Sequence, residues 1–120
     1  MSKTIMIVDD SLSMRQVLGK VLTDAGFQVT EAVDGSDAVK KLTATPDLLI
    51  TDLNMPNMDG IQLIEKVRAM PSCKQIPILM LTTESDATKK QAGRAAGATG
   101  WLVKPFQPEQ LLATVRKVIR

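Results

Sequence analysis

Four short, nearly continuous apolar runs constrain this chain more than any other feature: Ile5-Met6-Ile7-Val8, Leu48-Leu49-Ile50-Thr51, Ile78-Leu79-Met80-Leu81 and Trp101-Leu102-Val103. A strand with one face in water alternates apolar and polar residues, whereas a strand that is apolar at successive positions is covered on both faces, as in a parallel sheet between two helix layers. Helix-length amphipathic stretches separate the runs. Met14, Val17, Leu18, Val21, Leu22 and Ala25 recur at helical spacing and are read as the inward face of a first helix that stops at Gly26. Phe27 to Ala32 is more polar and reads as an edge strand, after which Asp34-Gly35 turns into a short helix through Ala38, Val39 and Leu42. Gly60 opens a third helix along Leu63, Ile64 and Val67, which must end before Pro71 because a residue preceding proline is pushed out of the helical region. Glu84 to Ala96 is helical by composition, with Ala87, Ala92, Ala95 and Ala96 expected to face inward, so it should pack lightly. Pro108 starts the last helix, along Leu111, Leu112, Val115, Val118 and Ile119.

Five βα units in succession, with no linker or repeat, predict one α/β domain over residues 1–120: a single doubly wound five-stranded parallel sheet with helices on both faces. The residues just past each strand set its place in the sheet. Asp9-Asp10 comes after the first, Asp52 after the third, Thr82-Thr83 after the fourth and Lys104 after the fifth, while the second ends in Ala32-Val33 with no comparable group. Ligands of open α/β sheets bind beyond the carboxyl ends of the strands where the winding reverses, which puts the first and third strands side by side and the second at an edge: order 2-1-3-4-5.

Composition removes several kinds of chemistry. With no histidine there is no histidine base and no histidine-bearing zinc cage, and Cys73 alone cannot form an internal disulfide. A net charge of +2, with basic residues spread along the chain and no aromatic interleaving, argues against direct nucleic-acid binding. No apolar run approaches the ~20 residues of a membrane span, so no membrane insertion is expected. The first residues pass straight into a strand without a secretory cleavage site, which places the chain in the cytoplasm.

Asp9, Asp10 and Asp52 gathered at one sheet edge would repel by roughly 3 kcal/mol per pair at about 5 Å and an effective dielectric near ~20. A cation belongs there, and Mg²⁺ suits oxygen ligands, one or two carboxylates and a phosphate. Lys104 supplies a mobile point charge for a phosphoryl oxygen and the Thr82 hydroxyl a hydrogen bond to another. A carboxylate nucleophile, a metal, a lysine and a hydroxyl are the parts that position and neutralise a transferring phosphoryl group. Taken singly, each has a plainer reading: Asp9-Asp10 or Thr82 as helix caps, Asp52 as a turn residue, Lys104 as a solvated surface lysine.

Together, Asp9-Asp10, Asp52, Met55-Pro56-Asn57-Met58-Asp59-Gly60, Thr82 and Lys104-Pro105-Phe106 resemble the motif set of bacterial two-component response-regulator receivers, in order and over essentially the whole chain. The resemblance implies that Asp52 is the phosphoacceptor, Asp10 a direct metal ligand, Asp9 a ligand through water, and the Asn54 backbone carbonyl a further metal oxygen. It also implies that Thr82 is the switch hydroxyl and that Lys104 contacts the phosphate, its bond to Pro105 being cis. Trp101 stands where the family usually has Tyr or Phe, the ring whose position reports activation.

The implied function is a signalling switch, phosphorylated by a sensor histidine kinase and read by a protein partner. Asn54 and Glu84 match the stand-alone chemotaxis type, for which a flagellar motor component is the expected target and a phosphatase a further partner. With no second domain expected after Ile119-Arg120, a monomer with a protein-contact output is anticipated. Its only chemistry would be its own phosphorylation and dephosphorylation. A phosphorelay intermediate is the alternative. An aspartyl-phosphate phosphatase would need a second acid where Asn54 stands, and a flavin carrier of the same winding would meet repulsion between its phosphate and Asp9-Asp10.

Overall fold

The computed structural model describes residues 2–83 and 87–119, with Ala87 described by its backbone alone. Five strands, β1 (Thr4–Val8), β2 (Gln28–Ala32), β3 (Leu48–Asp52), β4 (Ile78–Thr82) and β5 (Gly100–Val103), alternate with five helices, α1 (Leu12–Asp24), α2 (Gly35–Lys41), α3 (Gly60–Ala69), α4 (Ala87–Ala96) and α5 (Pro108–Val118). All strand pairings are parallel and the sheet order is β2-β1-β3-β4-β5, as the strand-end residues predicted.

The first three apolar runs do what two-sided burial requires, whereas the fourth, on the edge strand β5, is only part-buried. Ile5, Ile7, Leu48, Ile50, Leu79 and Leu81 point to one face, where Leu18 and Leu22 of α1 and Leu111 and Val115 of α5 meet them. Met6, Val8, Leu49, Ile78 and Met80 point to the other and pack on Ala38 of α2 and Leu42 just beyond it, with Leu63, Ile64 and Val67 of α3. Each fully buried Leu or Ile contributes about 1.5–3 kcal/mol, so both layers are needed to hold the central strands. No helix among the described residues is long and apolar enough to cross a membrane.

Two expected faces are corrected. Val17 lies 53% exposed, and the inward position of α1 goes instead to Arg15, three residues before Leu18 and seven before Leu22 on the same helical stripe. On α4, Ala92 and Ala95 are exposed; among the described side chains the inner face is Gly93 with the half-buried Ala96, and the side chain of Ala87 lies outside them. A Cβ at Gly93 would clash with Met80 Cε, so the backbone of α4 lies directly on the Met80 side chain of β4. The part of that expected helix from Glu84 to Asp86 lies outside the described residues.

Local signals hold the boundaries. Ser11, not Asp9 or Asp10, caps α1, accepting the Met14 N–H, and Asp59 with Gln62 forms a reciprocal capping box on α3. Helix α3 ends at Ala69, ahead of a 3-10 turn at Pro71–Cys73. Gly26 and Gly97 take positive φ (99° and 119°) after α1 and α4. Arg68 of α3 donates to the Gly97, Cys73 and Lys74 carbonyls, tying the end of α4 to α3.

Candidate functional site

Because every strand runs the same way, the groups at the ends of β1, β3, β4 and β5 converge on one edge of the sheet. Asp9 begins the loop after β1, Asp52 is the last residue of β3, Thr82 the last of β4, and Lys104 the first residue beyond β5. Oxygens of Asp9, Asp10 and Asp52 lie within 4.8 Å of one another. The Lys104 ammonium reaches in from the side, 3.3 Å from Asp52 Oδ1 and 3.8 Å from Asp9 Oδ2. The Lys104 N–H also donates to the Thr82 carbonyl, which fixes the start of the β5–α5 loop beside β4. The Lys104–Pro105 peptide is cis, as expected.

Exposure differs sharply within the cluster. Asp9 is fully buried, Asp52 7% and Thr82 1% exposed, while Asp10 faces solvent. Asp9 Oδ1 accepts the Ser11 N–H at 2.8 Å, but Asp9 Oδ2 is buried with no hydrogen bond among the described residues. Burial raises the Asp9 pKa above the ordinary carboxylate value; the Ser11 N–H opposes this, and the charge of Asp52 adds to the rise. A buried carboxylate oxygen without a donor, facing two more carboxylates, fits a hard divalent cation with oxygen ligands.

Stability should depend on pH accordingly. A carboxyl whose folded pKa is raised favours folding only when protonated, and loses that contribution as pH rises through the folded pKa. Without metal at neutral pH, Asp9 is therefore a liability, and Asp9→Asn should raise stability by about 1 kcal/mol, the scale of an unsatisfied buried polar group. The gain should shrink as pH falls through the raised folded pKa and vanish below the ordinary value near ~3.9. Urea melts in chelator at several pH values check it; equal stabilities at neutral pH would show that Lys104 already compensates Asp9.

Asn54 lies in the exposed loop between β3 and α3, two residues beyond Asp52. Trp101 is part-exposed on β5, opposite Met80 in register, with Lys90 Nζ at 5.2 Å and Arg94 Cζ at 5.3 Å from its ring centroid. Each such cation–π contact is worth about 0.5–1 kcal/mol at an exposed site. Glu84 falls outside the described residues.

Two further residues shape the site: Gly60, read from sequence only as a helix start and a motif member, and Arg15, not singled out from sequence. A Cβ on Gly60 would lie 2.4 Å from the Asp52 carbonyl oxygen, so only glycine lets α3 start against the end of β3, where its N–H donates to the Leu53 carbonyl. Arg15 is buried and donates to the Asp9 carbonyl at 2.6 Å. The available signal was a charged residue in phase with the apolar stripe of α1.

Comparison with known proteins agrees with this geometry. Residues 5–116 match the family model described as the response regulator receiver domain. A chemotaxis protein CheY1 of Helicobacter pylori is 41% identical over 118 residues, covering 96% of this chain and 95% of that protein. The solved structure of chemotaxis protein CheY4 of Vibrio cholerae is 48% identical with a TM-score of 0.95, over 99% of this chain and 100% of that one. The receiver domain of the Pseudomonas aeruginosa sensor histidine kinase PA1611, solved with a magnesium ion coordinated in its active-site cleft, is 25% identical with a TM-score of 0.91, over 98% of each chain. Fold, strand-end cluster and sequence thus lead to one statement: the chain belongs to the response regulator receiver domain family.

Proposed function

We propose that residues 1–120 form a signalling switch in which Asp52 accepts a phosphoryl group from a phosphohistidine of a partner kinase. The observation that carries this reading is the meeting of Asp9, Asp10 and Asp52 oxygens within 4.8 Å, with Lys104 3.3 Å from Asp52. An Asp52 oxygen attacks phosphorus, the bond from phosphorus to the donor nitrogen breaks, and the product is an aspartyl phosphate. Lys104 is placed to take charge from a phosphoryl oxygen, and Thr82, at the end of β4, to hydrogen-bond another. Asp9, Asp10, Asp52 and the Asn54 carbonyl would hold Mg²⁺, which when bound neutralises charge between carboxylates and phosphoryl oxygens. The magnesium in the cleft of the Pseudomonas receiver domain supports this choice of ion.

The chemotaxis names of relatives matched over nearly their whole length favour a chemotaxis role. The kinase would then be of the chemotaxis type and the target a protein such as a flagellar motor component, with a phosphatase to reset the switch. The domain would catalyse no reaction beyond its own phosphorylation and dephosphorylation. Phosphorylation would be read on α4, β5 and α5: drawing Thr82 toward the phosphoryl group frees room for Trp101 to turn inward, and α4, anchored inward by Gly93 and Ala96, is the element easiest to shift.

One experiment tests both levels. A small phosphodonor with Mg²⁺ should add one phosphoryl group by intact mass, chelation should abolish the gain, and Trp101 emission should change beyond the effect of Mg²⁺ alone. No mass gain would defeat the phosphoacceptor reading, while stoichiometric labelling with unchanged emission would make Trp101 a packing residue.

A further inference from the structure

An arginine in the buried stripe of a helix loses hydration and rotamer freedom, so its position calls for a specific return. Arg15 is only 9% exposed, in phase with Leu18 and Leu22 on the face of α1 turned to the sheet. Its Nη1 donates to the Asp9 carbonyl oxygen at 2.6 Å, and its Nε donates to Glu31 Oε1 of β2 at 3.2 Å. The Glu31 ion pair balances its charge, leaving the fork aimed at a neutral backbone acceptor.

That acceptor is the peptide linking Asp9 to Asp10. A peptide unit is planar, so fixing its carbonyl direction fixes the orientation from which both residues project. Asp9 is held at two other points: its N–H donates to the Ala32 carbonyl at 3.2 Å, and its Oδ1 accepts the Ser11 N–H at 2.8 Å. With these held, the remaining oxygen, Oδ2, is the one left buried, without a hydrogen bond among the described residues, beside Lys104 and the other carboxylates.

We propose that Arg15 is a positioning residue for the metal site: acting through the Asp9–Asp10 peptide, it orients the two carboxylates of the β1–α1 loop toward Asp52. This inference rests on the metal-assisted reading of the site given above. The arginine touches neither metal nor phosphoryl group in this role; it presets the loop so that cation binding need not reorganise it.

Mg²⁺ titration by calorimetry tests it on the intact chain, with Leu22→Ala as a control that loosens the same helix away from the loop. Arg15→Ala should weaken Mg²⁺ binding about 10- to 100-fold, the range seen when groups that orient metal ligands are removed. Arg15→Lys, which keeps one cationic donor, should recover most of the loss, and Leu22→Ala should lower stability while leaving Mg²⁺ affinity as in the wild type. In metal-free protein, hydrogen exchange at the Ser11 amide should quicken in Arg15→Ala and not in Leu22→Ala. If Arg15→Ala does not fold, Arg15→Gln, whose shorter side chain falls short of the Asp9 carbonyl, replaces it in the same comparisons. Wild-type affinity in Arg15→Ala, or in Arg15→Gln where it replaces it, or an equal loss in Leu22→Ala, overturns the proposal. A wild-type protein that binds no Mg²⁺ overturns it together with the metal reading.

Discussion

Asp52→Asn protein, mixed with a small phosphodonor and Mg²⁺, is expected to show no covalent mass gain under conditions that label the wild type. The amide keeps the shape of the carboxylate and removes the nucleophilic oxygen, so the rate should fall by on the order of 10⁴-fold or more, the scale on which removing a nucleophile acts. Structure makes the variant a clean probe. Asp52 ends β3 with its side chain nearly buried, and losing its charge removes repulsion toward Asp9 while also removing the Lys104 contact at 3.3 Å. The fold should therefore persist, and a urea melt near that of the wild type will show that lost labelling is lost chemistry. Asp10 is the obvious rival acceptor because it is the exposed member of the cluster. Undiminished labelling of Asp52→Asn would pass the role to Asp10 or Asp9, and peptide mapping of the phosphorylated product would say which.

Gly60→Ala should destabilise the protein by about 2 kcal/mol, the middle of the range for overpacking a closed site. Helix propensity alone argues the opposite, since alanine is favoured over glycine by up to about 1 kcal/mol within a helix. Geometry decides between them. The added Cβ would stand 2.4 Å from the Asp52 carbonyl oxygen and 3.0 Å from Leu53 Cα, and both are backbone atoms that no rotamer change can move. Relief requires α3 to retreat from the end of β3, stretching the bond from the Gly60 N–H to the Leu53 carbonyl, now 2.9 Å. That retreat shifts the backbone carrying Asp52, so Mg²⁺ affinity should fall as well. Denaturant unfolding read beside a Mg²⁺ titration checks both effects. An alanine variant as stable as the wild type would mean that α3 can move without cost.

Much of the molecule was legible in its residues because burial on both faces leaves an unmistakable trace. Ile5 to Val8, Leu48 to Thr51 and Ile78 to Leu81 announced central parallel strands, and Asp9, Asp52, Thr82 and Lys104 announced which ends of those strands would meet. Pro71 and Pro108 marked a helix end and a helix start because proline restricts backbone geometry wherever it occurs. Helix faces were less secure: Val17 fits the apolar spacing of α1 yet is exposed, and Ala92 and Ala95 suit an inner face of α4 that Gly93 and Ala96 occupy. A small or β-branched residue is tolerated on either side of a helix, so its identity carries little information about direction.

The sequence by itself determined the α/β alternation, the strand order and the set of groups gathered at one edge, because these arise from local periodicity and from a chain direction shared by every strand. Only the tertiary structure decided how those groups are held. The hydrogen bond from Arg15 to the Asp9 carbonyl, the contact of Gly60 with Asp52, the approach of Lys104 to the buried Asp9 Oδ2 and the two cations over Trp101 all join residues on different elements or across a loop. Such contacts depend on distances of a few tenths of an ångström between packed layers, and no residue spacing along the chain encodes them.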